Sequence, residues 1–253
     1  MKVFITGASS GLGAALASHY AARGANLGLV ARRGEALDAL AARLAAPCAV
    51  YAADVGDVAG MARIAADHCA AHGTPDIVIA NAGVSSGTLG GDPEDLAVLE
   101  RILRTNVLGL AATLAPFVAP MRERGSGTLA GIASVAGIRG LPGSGAYCAS
   151  KSAAITWMES LRLELAGTGV RAVTVCPGYV DTPMTAVNRF PMPFMIGADD
   201  AARRIARAID RGARYTVIPW PMRLVAIALG LLPASLYDRA FARAPRKPRK
   251  LPL

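Results

Sequence analysis

Short, almost wholly apolar runs alternate along this chain with longer stretches of helix-like composition. The runs cover residues 2–6, 26–31, 49–53, 76–80, 127–133, 171–176 and 215–219. A strand with one face in water alternates apolar and polar residues, whereas a strand buried on both faces of a parallel sheet is apolar throughout. Between the runs, residues 12–23, 35–44, 58–71, 94–123, 145–165 and 198–211 read as helices. This alternation predicts an α/β fold, a doubly wound parallel sheet of seven strands with right-handed crossovers. No repeat, low-complexity segment or linker interrupts it. Residues 1–220 are therefore expected to form one domain, and residues 221–253 an extension that is first apolar and helical, then basic.

The first run leads into Thr6-Gly7-Ala8-Ser9-Ser10-Gly11-Leu12-Gly13, which opens the first helix. Glycines at a β–α junction permit a tight turn and let the backbone approach a pyrophosphate, which the helix N-terminus then stabilises. At the first such junction of an alternating chain, the pattern reads as a Rossmann-type nucleotide site rather than a turn without function. Its spacing is Gly-x-x-x-Gly-x-Gly, not the Gly-x-Gly-x-x-Gly of the commonest dinucleotide folds.

A second stretch carries chemistry. Tyr147 and Lys151 are four residues apart in the segment 145–165, so on a helix they share a face, about 6 Å apart along its axis. A phenol beside a fixed ammonium is a candidate proton donor. Bringing a tyrosine from its ordinary value near ~10 to ~7 takes about 4 kcal/mol of differential stabilisation, within reach of a nearby cation helped by a second positive charge.

Charge changes the picture only at one end. Of the net +9, residues 239–253 carry six Lys and Arg with no acid, leaving +3 for the rest of the chain. With no aromatic-interleaved basic surface, no nucleic-acid partner is expected. The four cysteines (Cys48, Cys69, Cys148, Cys176) form no C-x-x-C pair, which argues against a zinc site or a disulfide framework and suits a reducing compartment. Cys148 reads as packing. The start Val3-Phe4-Ile5 is too short for a signal core, and no run of eighteen apolar residues is present to span a bilayer. His68 and His72, four apart with no third ligand nearby, read as solvated surface residues, and His19 as ordinary. No metal site is expected.

Taken in order, the glycine motif, Asn81-Ala82-Gly83, Asn106, Ser134, Tyr147 with Lys151, and Pro177-Gly178 followed by Thr182 resemble the short-chain dehydrogenase/reductase family in its compact branch. The similarity covers residues 1–220. It implies a catalytic set of Asn106, Ser134, Tyr147 and Lys151. Tyr147 would be the general acid or base. Lys151 would lower its pKa and hold the nicotinamide ribose, Ser134 would bind the substrate oxygen, and Asn106 would hold a water linking Lys151 to solvent. The cofactor contacts it implies are Gly7, Ser9, Ser10, Gly11, Leu12, Gly13, Asp54, Val55, Asn81, Ala82, Gly83, Tyr147, Lys151, Pro177, Gly178, Val180 and Thr182. Arg32 and Arg33 join them, because Ala31 stands where an NAD enzyme usually places an acid for the ribose 2′-hydroxyl. Two guanidinium groups there favour a 2′-phosphate, so NADP(H) is expected over NAD(H). Ser10 departs from the basic residue that many NADP-using relatives carry in the glycine loop.

The resulting expectation is a cytoplasmic NADPH-dependent oxidoreductase interconverting a carbonyl and an alcohol. The alternative is a catalytically silent NADP-binding regulator; a sugar-nucleotide epimerase ranks last. Residues 184–196, with Phe190, Met192, Phe194 and Met195, suggest an apolar lid and a hydrophobic substrate. Family analogy suggests a homodimer or homotetramer through the helices around 106–123 and 145–165. For 222–250 two readings stay open. One is an arm over the substrate pocket or at a subunit interface, followed by a disordered tail. The other is a peripheral contact with the inner membrane face, apolar residues in lipid and the basic end on anionic headgroups.

Overall fold

The computed structural model describes residues 1–251, so the last two positions of the expected extension lie outside the described residues. Its strands are β1 (Lys2–Thr6), β2 (Asn26–Ala31), β3 (Cys48–Ala52), β4 (Ile77–Ala80), β5 (Gly127–Ile132), β6 (Val170–Pro177), β7 (Val180–Asp181), β8 (Ile196–Gly197) and β9 (Tyr215–Ile218). Seven of them form one parallel sheet in the order β3-β2-β1-β4-β5-β6-β9. The seven expected runs match these strands to within a residue at each end. The strand order reverses between β1 and β4, and in open α/β sheets the crevice beyond that switch point is where ligands bind.

Helices cover both faces. On one side α1 (Gly11–Ala21), α2 (Gly34–Ala41) and, late in the chain, the helix Ala198–Asp210 bury Leu16, Leu37, Ile205 and Ile209 against Val3, Ile5, Leu29 and Val173. On the other, α3 (Val58–His72) and the helical segments 96–124 and 145–164 bury Met61, Phe117, Leu114 and Met158 against Phe4, Val78 and Leu129. These are strands enclosed on both faces, which is why their sequences are apolar without alternation.

The expected helix 94–123 is not a plain one. It begins as a 3-10 turn (Pro93–Asp95), continues as α4 (Leu96–Leu103), widens into a π-helical turn (Arg104–Leu108), and resumes as α5 (Gly109–Arg124). A π-turn carries one residue more than the α-helical ladder and concentrates at functional sites. Among the described residues, 93–124 is long and apolar enough by length and composition to cross a membrane, but Ile102, Leu114, Phe117 and Met121 are spent in the core.

Beyond α6 (Gly145–Glu164), a short helix α7 (Pro183–Ala186) follows β7, and β7 pairs with β8 as a separate two-stranded parallel sheet. The helix Ala198–Asp210 is α8, and α9 (Trp220–Leu231) and α10 (Ala234–Phe241) follow β9. The inner face of α9 (Met222, Ala226) packs on Ala133, Val135, Cys176 and Val217.

Two expectations need correction. His68 is buried: its ring lies edge-on to Phe4 and its Nδ1 is 3.1 Å from the Tyr51 hydroxyl, while His72 is exposed. Gly28 on β2 leaves the space that the imidazole fills, and burial drives its pKa down to about 4. The basic end, within 242–251, is not a free tail either. It returns across the molecule as a strap whose main chain meets Gly87 and whose Arg249 is held by Asp92 and Asp95.

Candidate active site

The glycine loop is built first. Gly7 has φ +69° and Cα of Ala82 lies 2.7 Å from where its Cβ would be, so a side chain is strained by the backbone and by its neighbour. A Cβ on Gly13 would collide with the carbonyl of Gly7. Asn81, just past β4, ties the loop down: its Nδ2 donates to the Thr6 and Gly7 carbonyls at 3.0 and 3.3 Å. Ser10 caps α1 without a side-chain bond into it, which leaves the first-turn N–H groups for an anion.

Around this loop opens a crevice of about 400 Å³. Every residue expected to touch cofactor lines it: Gly7, Ser9–Gly13, Arg32, Arg33, Asp54, Val55, Asn81–Gly83, Tyr147, Lys151, Pro177, Gly178, Val180 and Thr182. Val84 and Thr105 line it too and were not anticipated, as do Ala31, where the ribose-binding acid was looked for, and Met184 and Thr185 of the expected lid segment. Arg33 Nη2 donates to Ser9 Oγ and Ser10 Oγ at 3.1 and 2.8 Å, so one guanidinium lies across the loop and Arg32 is exposed beside it. Asp54 Oδ1 accepts from Gly56 N at 2.8 Å, closing the turn after β3. Thr182 and Thr185 cap α7 reciprocally, and the Thr182 side chain lies 3.3 Å from where a Cβ on Gly11 would be.

Ser134, Tyr147 and Lys151 meet at the β5–β6 side of the crevice. Ser134 starts a 3-10 turn after β5, its Oγ accepting from Ala136 N at 3.1 Å. Lys151 Nζ donates to the Ile132 carbonyl at 2.9 Å and lies 5.8 Å from the centroid of the Tyr147 ring. Burial raises Tyr147 to about 12, partly offset by a hydrogen bond with Ser134, and lowers Lys151 to about 8. Tyr147 thus stands above its ordinary value, where a lowering by Lys151 was expected. The ammonium is committed to a main-chain carbonyl, and desolvation disfavours the charged form of each group.

Asn106 stands behind the crevice wall. It occupies the π-turn, fully buried, where its Oδ1 accepts from Val84 N at 2.8 Å and its Nδ2 donates to Val84 O and Ser150 Oγ at 3.0 and 2.9 Å. Ser150 in turn donates to the Tyr147 carbonyl at 2.8 Å. Its amide thus joins β4, α4–α5 and α6 at one point. Ser150 is a further residue that sequence reasoning missed. The available signal was a polar residue three positions after Tyr147, on the side of α6 facing the core.

The apolar residues expected to form a lid lie in an open segment. Phe190 packs edge-on to Tyr179 and Met192 is half-buried, whereas Phe194 and Met195 are exposed. Arg139, in the loop before α6, donates to the Leu229 and Leu232 carbonyls at the end of α9 and lies over the Tyr237 ring. Among the described residues no cluster of three or more His, Cys, Asp or Glu could hold a metal, and all four cysteines are free.

A parallel doubly wound sheet with a Ser, Tyr and Lys set beside its glycine loop defines a class of dinucleotide-dependent oxidoreductases. The chain belongs to the short chain dehydrogenase family, whose model matches residues 1–191. An uncharacterised oxidoreductase of Myxococcus xanthus is 41% identical over 243 residues, covering 94% of this chain and 95% of that one. A 2-dehydro-3-deoxy-L-rhamnonate dehydrogenase (NAD(+)) of a Sphingomonas species is 37% identical over 180 residues, 71% of this chain and 72% of its own. Among solved structures, levodione reductase superposes with a TM-score of 0.76 at 27% identity, covering 86% of this chain and 95% of that one.

Proposed function

We propose that this protein is an NADPH-dependent oxidoreductase that interconverts a carbonyl and an alcohol on a hydrophobic small molecule, with Tyr147 as general acid or base. The observation that carries the reading is the convergence of Ser134, Tyr147 and Lys151 on the crevice that the glycine loop opens. The residues present fit a dinucleotide: the uncapped first turn of α1 and the close-packed Gly7 and Gly13 suit a pyrophosphate. Arg32 and Arg33, with Ala31 in place of an acid, suit a 2′-phosphate. The cofactor, when bound, supplies the hydride.

The chain's own groups do the rest. Ser134 Oγ donates to the substrate oxygen and Tyr147 Oη gives it a proton. Pushed up to about 12, the Tyr147 phenol is protonated at neutral pH and available as the acid for carbonyl reduction. Lys151, between the Ile132 carbonyl and Tyr147, holds positive charge next to the phenol as that proton leaves. Asn106 acts through Ser150 and Val84, fixing the pitch of α6 against β4. The exposed apolar residues Leu96, Leu108 and Leu163 on the helices around the site support assembly into a homodimer or homotetramer.

Steady-state turnover of a ketone panel with NADPH and with NADH tests the proposal. A preference of about tenfold or more for NADH, ~1.4 kcal/mol, would overturn the cofactor assignment. Tight cofactor binding with no turnover of any ketone or alcohol would leave the regulator instead.

A further inference from the structure

Helix α9 is apolar on both sides, and only one side is used. Met222 and Ala226 are buried against the sheet, and Met222 fills the space beside Gly178 of the crevice wall. Trp220, Leu224, Ile227 and Leu231 follow one another at intervals of four, three and four residues, a single stripe on a helix. All four face solvent, Leu231 78% exposed and Trp220 70% exposed. A large contiguous apolar stripe on a folded surface marks a contact site.

What covers the stripe is indicated by the charges around it. From Trp220 to the end of the described chain the only acid is Asp238. Of the cations there, Arg249 and Lys250 are paired with Asp92, Asp95 and Glu94, and Lys247 donates to the Met184 carbonyl. Arg223, Arg239, Arg243 and Arg246 remain exposed, with no ion pair among the described residues. Leu236 and Arg239 share the outer face of α10, whose inner residue Tyr237 donates to the Gly140 carbonyl, and Arg243 is exposed in the turn that follows the helix. The end of α9 is held by Arg139 of the same loop. With the inner face of α9 on the sheet and that of α10 on the loop around Arg139 and Gly140, the outer faces point away from the body. A second copy of this chain meeting the stripe across a two-fold axis would bring like arginines together, since such an interface opposes a patch to itself.

We infer that α9 and α10 form a docking surface for an anionic lipid bilayer. The stripe from Trp220 to Leu231 enters the boundary between headgroups and acyl chains, and Arg223, Arg239 and Arg243 rest on the phosphates. Trp220, at the start of the helix, sits at headgroup depth, where its amphipathic ring is favoured. The crevice wall at Gly178 is then one helix away from the lipid.

The full chain, mixed with sedimenting vesicles of phosphatidylcholine alone or with phosphatidylglycerol, tests this. The protein is expected to pellet with the anionic vesicles and to stay in solution with the neutral ones. Arg239→Glu with Arg243→Glu is expected to weaken binding about thirtyfold, taking ~1 kcal/mol for each basic residue lost from the surface. Leu224→Glu with Leu231→Glu is expected to abolish it while NADPH binding and circular dichroism stay unchanged. Independently of those variants, Trp157→Phe leaves Trp220 as the only tryptophan, whose emission should shift to the blue and be quenched by brominated acyl chains. Failure to pellet with anionic vesicles, pelleting that survives the double Leu→Glu change, or unquenched Trp220 overturns the inference. So does a wild-type oligomer that ignores vesicles and dissociates on Leu→Glu, which would give the stripe to a second copy.

Discussion

In and behind the wall of the crevice, Asn81, Asn106 and Lys151 are fastened to main-chain atoms of neighbouring elements: the Thr6 and Gly7 carbonyls, the amide and carbonyl of Val84, and the carbonyl of Ile132. In the C-terminal strap, Arg249 is fastened to the side chains of Asp92 and Asp95, the first of them 157 residues back along the chain. Its other ties are scattered: Gly87 N to the Pro248 carbonyl at 2.9 Å, Leu251 N to Ser86 Oγ at 3.3 Å, Lys247 Nζ to the Met184 carbonyl at 3.2 Å and an exposed pair of Lys250 with Glu94. Main-chain partners survive most substitutions of their own residue, whereas the ion pairs of the strap depend on the particular carboxylates of Asp92, Asp95 and Glu94. The crevice is therefore robust in position and fragile only in chemistry. The strap is fragile in position.

The widest separation between the two regions is expected for Tyr147→Phe. It removes a hydroxyl without touching a main-chain tie, so turnover should fall by about 10²–10⁴ while cofactor affinity and melting temperature stay as they were. Stopped-flow kinetics with fluorescence titration checks it. Next is Arg32→Asp, expected to move the NADPH-to-NADH ratio of kcat/KM by about 10–100-fold towards NADH, the range of one or two charge-assisted hydrogen bonds.

At the strap, Asp95→Asn should leave kcat unchanged. It should lower the melting temperature and expose residues 242–251 to proteases, because Asp95 also accepts from Leu89 N at 2.7 Å. High salt should mimic this variant in the wild type and should leave the Asn81 and Asn106 ties alone. Unchanged proteolysis would mean the strap is held without its carboxylates.

The smallest effect sharpens the contrast through two lysines. Burial lowers both Lys151 and Lys247 from 10.5 to about 8. Between those values the unfolded chain binds more protons than the folded one, so stability rises as pH climbs from about 8 to about 10.5. Lys247→Met should flatten part of that rise in pH-dependent denaturation and preserve turnover. Lys151→Met should flatten it as well and abolish turnover.

The difference between the two regions also explains what could be read from the chain. The sheet was legible because enclosed strands must be apolar at every position, as in β1 and β4. The glycine loop was legible because Gly7 and Gly13 have no room for a side chain. Lys151 and Tyr147 were legible as neighbours through helical spacing, but the sign of the Tyr147 shift was not. That sign depends on desolvation and on a carbonyl, Ile132, that no spacing reveals. His68 was misread for the same reason, since its burial depends on Gly28 across the sheet. The strap was illegible because a pairing such as Arg249 with Asp92 leaves no periodic trace in either segment.

The π-turn at Arg104–Leu108 has one last consequence. An α-helix advances about 100° per residue, so a single surplus residue swings everything before it round by that angle relative to everything after it. The face that α4 shows to α6 and the face that α5 shows to the sheet are thereby uncoupled, and the seam between them is where the Asn106 amide turns towards Val84. Deleting one residue there would yield a straighter rod with better internal bonding and an amide aimed elsewhere; here regularity and reactivity are rival solutions for the same five residues.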